Sequence, residues 1–214
     1  MIPLSEAVLL LVLLVNFAVL AASRLTFTIR ATAFQGLLLS VLPLTIHHPW
    51  SGQILLFAGG TLLVNGLVLP NVLLWAMREA AVRREVEPSL GPLSSVAAGV
   101  VALGLALALS NHLPAFDASI PRLLLPTSLT TVMSGLLMLM TRRKAMTQVV
   151  GYLLLENGIY LFGLILSGQV PLLVETGVLL DLLVGVFIMG LVVFHMNREL
   201  ESLDSARLSE LRES

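Results

Sequence analysis

The stretch AVLLLVLLVNFAVLAA, residues 7–22, carries no charge and no alternation, and it decides how the rest of the chain is read. A membrane strand would alternate apolar and polar positions over about 10 residues, whereas a spanning helix needs about 20 predominantly apolar residues in a row. The run therefore predicts a transmembrane α-helix. The preceding residues, MIPLSE, lack the positive charge of a secretory leader, and the apolar run exceeds an ordinary leader core, so the segment reads as the first span.

The same character extends along the chain. Of 214 residues 57% are hydrophobic and 12% charged, with a mean hydropathy of +0.97; this is the balance of an integral membrane protein. Spans are expected at 3–22, 31–48, 52–76, 93–111, 121–141, 146–167 and 170–196, giving an all-α, polytopic bundle of about seven helices. Pro43 and Pro70 fall inside the second and third, where they serve as kinks or hinges. Three parts follow: a four-helix part over 1–111, a three-helix part over 121–196, and a tail over 197–214 whose Leu200, Leu203, Leu208 and Leu211 share one helical face. That tail fits a docking element for a cytoplasmic subunit or an amphipathic helix on the membrane surface.

Basic residues orient the bundle. Arg24, Arg30, Arg78, Arg83, Arg84, Arg142, Arg143, Lys144, Arg198, Arg207 and Arg212 fall on one side of this arrangement and only Arg122 on the other. The positive-inside rule then places the N-terminus outside and the C-terminus in the cytoplasm.

Several chemistries lack their residues. Without cysteine there is no disulfide frame, thiolate zinc site or iron-sulfur cluster in this chain. His47, His48 and His112 lie near one surface and His195 near the other, so no pair brackets a mid-membrane haem. Neither a phosphate-cradling glycine loop nor a nucleophile elbow is present, and no basic face suits nucleic acid. No catalytic residue in the redox sense, no cofactor ligand and no metal ligand is expected here.

Two carboxylates remain to be explained. Glu156 and Asp181 each sit about ten residues inside an apolar stretch, roughly 15 Å deep in a ~30 Å core. An ionised acid at that depth costs about 2.5 to 3.5 kcal/mol, so an intramembrane acid marks a functional position. In the sixth span Gln148, Tyr152, Glu156 and Tyr160 recur every fourth residue along one stripe. A carboxyl flanked by phenols and an amide, with water in the gaps, can pass protons; the same stripe also fits a polar seam between helices. Lys144 stands at the cytoplasmic edge of this span and His195 at that of the next, candidates for a charge partner and an inner port. Glu175 lies shallower on the outward half, either an outer leg of the path or a snorkelling acid. Thr127, Thr131, Ser134 and Thr141 in the fifth span supply hydroxyls for water or for close packing, and Asn16 and Asn65 read as interhelical hydrogen-bond donors.

With Arg142-Arg143-Lys144, GYLLLENGIYLFG over 151–163 and VETGVLLDLLVG over 174–185, the chain resembles the hydrogenase-4 component E family. That family in turn looks like the K subunit of respiratory complex I, with which the three spans over 121–196 correspond. Glu156 takes the place of the first buried glutamate and Asp181, one methylene shorter, that of the second. The resemblance implies a non-catalytic, proton-translocating subunit in the membrane arm of a nickel-iron hydrogenase or formate hydrogenlyase complex, in a bacterial or archaeal inner membrane. Its partners would be antiporter-like and quinone-module-like membrane subunits, peripheral hydrogenase subunits and membrane lipid, with the nickel-iron centre and iron-sulfur clusters in other chains. A cation/proton antiporter subunit would use the same acids, and a scaffold of the membrane arm would pair them with partner lysines. A stand-alone transporter fits less well, because no inverted repeat or matched pair of broken helices is visible.

Overall fold

The structure, a computed structural model, describes residues 3–46, 52–79, 91–112, 120–142 and 145–166. These form α1 (Leu4–Ala21), α2 (Leu25–Ile46), α3 (Gly52–Thr61), a π-helical segment π1 (Leu62–Val68), α4 (Leu69–Glu79), α5 (Pro92–His112), α6 (Leu124–Thr141) and α7 (Ala145–Leu166). Because α3, π1 and α4 run on as one rod, the described residues provide six spans long and apolar enough to cross a membrane. No strand element is found among them. The expected seventh span, over 170–196, and the tail lie outside the described residues.

One boundary and one helix type differ from the hydropathy reading. The second helix begins at Leu25, not near residue 31, so Arg30 lies within it. In its polar entry the hydroxyls turn back on the helix, Thr28 Oγ1 donating to the Arg24 carbonyl and Thr32 Oγ1 to the Thr28 carbonyl, each at 3.0 Å, while Arg30 stays exposed. The third span is not a uniform α-helix: π1 occupies its middle and ends just before Leu69-Pro70. Proline has no N–H to give and its ring presses on the carbonyl four residues back, here Gly66; a widened turn relieves that clash.

Apolar residues gather in two clusters at the two ends of the bundle. One joins Val19, Leu20, Leu25, Ile29, Leu69, Leu73, Met138, Met146, Val149, Val150, Leu153 and Leu154. The other joins Val8, Leu9, Val12, Leu39, Leu42, Leu124, Leu125, Leu161 and Ile165. Between them, at mid-depth on four helices, lie the buried polar residues Asn16, Thr32, Gln35, Thr127, Thr131, Ser134, Glu156 and Asn157. The bundle is thus a polar layer between two apolar plugs. Its outer wall is apolar as well, with Leu14, Val101, Leu105 and Met140 all exposed, as lipid-facing positions should be.

Helices α6 and α7 pack most closely, and α2 and α1 cover them from the N-terminal side. Glycines set that distance. A Cβ at Gly158 would come within 2.5 Å of the Val132 nitrogen, one at Gly151 within 2.9 Å of Met138 Cβ, and one at Gly135 would overlap the Leu155 backbone. Small residues at such crossings let membrane helices approach to backbone contact. The same device seats the third span: a Cβ at Gly36 would lie 2.9 Å from the Asn65 carbonyl carbon, holding π1 against α2.

Candidate functional site

The contacts of Gly135 with Leu155 and of Gly158 with Val132 put Glu156 level with residues 132–135 of α6, at the middle of the bundle. Glu156 is 5% exposed and its neighbour Asn157 2%. A carboxyl in a low-dielectric layer strongly feels every dipole placed near it. On α6 the hydroxyls of Ser134 and Thr127 are fully buried and have no hydrogen-bond partner, leaving donor and acceptor capacity within the polar layer.

Beside Glu156 begins a chain of amides that crosses four helices. Asn157 Nδ2 donates to Gln35 Oε1 over a long 3.4 Å, Gln35 Nε2 to Asn16 Oδ1 at 3.0 Å, and Asn16 Nδ2 to Thr131 Oγ1 at 2.8 Å. The chain ends where Thr131 Oγ1 donates to the Thr127 carbonyl at 2.7 Å. That last acceptor fixes the direction of the whole series. A carbonyl cannot donate, so Thr131 spends its only hydrogen there and must receive from Asn16; Asn16 must then receive from Gln35, and Gln35 from Asn157. Amides do not titrate near neutral pH, so this chain is a brace that holds α1, α2, α6 and α7 in register at the depth of the acid. The brace predicts a measurable coupling: in a double-mutant cycle of Asn16→Leu and Thr131→Val, the two should interact by about 0.6 kcal/mol and at most about 1.7 kcal/mol. Unfolding in detergent measures it, and strict additivity would mean that the contact carries no energy.

The other residues expected in the relay fall as follows. Tyr152 is half-buried against the apolar cluster that contains Leu153, and Tyr160 packs against the opposite one; the two phenols thus flank the polar layer on either side of Glu156. Gln148 is exposed at the start of α7, its Nε2 donating to the Arg142 carbonyl at 3.1 Å. Lys144, Glu175, Asp181 and His195 lie outside the described residues. Asn16 makes the expected interhelical bond, but Asn65 does not: both its amide atoms are buried in π1 without a hydrogen-bond partner. Gln35 and Asn157 were not singled out from sequence. The available signal was an amide in the middle of an apolar run, the same one that marked Asn16.

At the end of the bundle where α1 stops and Arg24 lies, Arg142 closes α6. It is 2% exposed, and its Nη2 donates to the Leu20 carbonyl at 3.0 Å. This contact places the C-terminal ends of α1 and α6 on one side, as the arginine count requires. Burial lowers the proton affinity of the guanidinium, which nonetheless stays charged across the physiological range.

Fold and polar layer together define a multi-pass helical membrane protein with an ionisable group held at mid-depth. The chain belongs to the same family as the uncharacterized protein Rv0085 of Mycobacterium tuberculosis, with which it is 31% identical over 190 residues, 86% of this chain and 85% of that protein. It is also similar to hydrogenase-4 component E of Escherichia coli K12, 27% identical over 162 residues that make up 75% of this chain and 74% of that one. The same figures hold for hydrogenase-4 component E of Shigella flexneri. No family model matches the chain and no solved structure matches it.

Proposed function

We propose that this chain is a membrane subunit of a redox-driven, proton-translocating hydrogenase complex, in which Glu156 takes up and releases the proton that crosses the bilayer. The observation that carries the reading is the burial of Glu156 in a polar layer bounded by apolar residues at both ends. A titratable group in that position can be reached only by way of a few polar neighbours, which is what separates a relay from a leak. Tyr152 and Tyr160, one turn to either side, supply donor and acceptor oxygens toward the two surfaces. Ser134 and Thr127 supply places for water to bridge the gaps.

Similarity to hydrogenase-4 component E supports the choice of complex. On this reading Asp181 is the second carboxyl of the path, in the manner of the K subunit of complex I, and Lys144, Glu175 and His195 serve its approaches. Antiporter-like and quinone-module-like subunits would flank the chain, and the nickel-iron centre and iron-sulfur clusters would sit in peripheral subunits, since a chain without cysteine supplies no thiolates for them. Redox chemistry in those subunits would act on Glu156 by shifting its electrostatic surroundings or the helices that hold it.

Mild-detergent purification through a tag on this chain tests the assignment directly. A nickel-containing large subunit should copurify in stoichiometric amount, detected by metal analysis and mass spectrometry. Recovery of the chain with antiporter subunits alone, and no nickel protein, would sink the hydrogenase reading in favour of cation/proton exchange.

A further inference from the structure

At the arginine-rich end, the link between α1 and α2 and the first turns of α2 enclose a cleft of about 370 Å³ lined by Ala21, Ser23, Arg24, Thr26, Phe27 and Arg30. Arg24 and Arg30 are both exposed, and among the described residues no carboxylate lines the cleft. Phe27, three residues from each along the chain and 49% exposed, adds an aromatic side chain to the lining of the same cleft.

Arg142 adds a third cation close by. The Leu20 carbonyl that it holds is one residue from the cleft wall at Ala21, and its Nε and Nη1 are buried without any hydrogen-bond partner. A buried guanidinium with two of its three nitrogens without a hydrogen bond, and no ion pair among the described residues, projects its positive charge in a low-dielectric setting, where its field extends further than in water. Three cations, one exposed aromatic ring and a membrane-boundary position form a specific combination. Basic pockets between helices at this level hold anionic headgroups, and aromatic rings settle at the same interface.

We infer that the cleft at residues 21–30 binds the phosphate headgroup of an anionic phospholipid, with Arg24 and Arg30 as direct ligands, Phe27 seated against the upper acyl chain and glycerol, and Arg142 contributing its field from beneath. A lipid suits the site better than an acidic protein segment. Beyond the cleft α2 continues with exposed Phe34, Leu37 and Val41, and one molecule with a charged head and apolar tail satisfies both surfaces. Arg142 is not required to touch the lipid; it raises the local potential while its fixed hydrogen bond ties α6 to the floor of the site.

Native mass spectrometry of the full chain, purified with its partner subunits and exchanged into bilayers of phosphatidylcholine with or without phosphatidylglycerol, tests this. Phosphatidylglycerol should remain bound in preference to phosphatidylcholine. The double variant Arg24→Gln/Arg30→Gln, both exposed positions, should reduce retention roughly twenty-five-fold, at about fivefold for each surface arginine, with the melting temperature of the complex unchanged. Equal retention by variant and parent would overturn the assignment. So would displacement of the lipid by millimolar inorganic phosphate, the mark of a free-anion site, or loss of a partner subunit from the variant with lipid retention unchanged, the mark of a protein interface.

Discussion

Glu156→Gln is expected to lower proton translocation by about a hundredfold, at the low end of what a positioned proton-transfer group contributes, while the complex still assembles. Glutamine keeps the size and hydrogen-bonding capacity of the side chain but cannot load and release a proton. Burial at 5% exposure keeps bulk solvent from substituting for it. Inverted membrane vesicles energised by the electron donor, with a pH-sensitive dye inside, report the flux, and gel filtration reports assembly. Glu156→Asp should recover part of the flux, because the titrating group returns with a shorter reach. Unchanged pumping by the glutamine variant would end the relay assignment. Loss of the assembled complex in both variants would instead assign Glu156 to holding subunits together.

Gly135→Ala is expected to be the most damaging single methyl in the described bundle. Its added carbon would run into the Leu155 backbone nitrogen and Cα, which are main-chain atoms of a packed helix and cannot swing aside. Helices α6 and α7 would have to move apart, at a cost of about 2 to 3 kcal/mol, the upper part of the usual range for overpacking. That separation would also disturb the level of Glu156 relative to residues 132–135 of α6. Gly104→Ala is the matched control: a Cβ there meets nothing within 4 Å, so its stability should stay within about 0.5 kcal/mol of the parent. Thermal unfolding of the two variants in the same detergent measures the difference, and equal melting temperatures would show that the crossing relaxes without cost.

The two variants probe features of different legibility. Glu156 stood out in the sequence because hydropathy is local: an acid ten residues into an apolar run is deep wherever the helix finally packs. The glycine crossing was less visible. Gly151 and Gly158 are two turns apart on α7, yet nothing local says that they meet Val132 and Met138 rather than lipid. Likewise the π-helical turn before Pro70 has no periodic signature, since it redistributes one residue within a helix that hydropathy reads as continuous. The late start assigned to the second span had a related cause, because Arg30 counts against a helix in a hydropathy window but costs little where its side chain reaches the interface.

Membrane-spanning character, helical class and the position of Glu156 deep inside an apolar helix were all determined by the order of residues alone, because each depends on segment composition against the thickness of a bilayer. The polar brace was decided only in three dimensions. Asn157 and Gln35 are 122 residues apart and Asn16 and Thr131 are 115 apart, and an amide in an apolar helix announces that it needs a partner without saying which. That choice falls to the packing of α1 and α2 on α6 and α7, where the close glycine contacts set the level at which the amides meet.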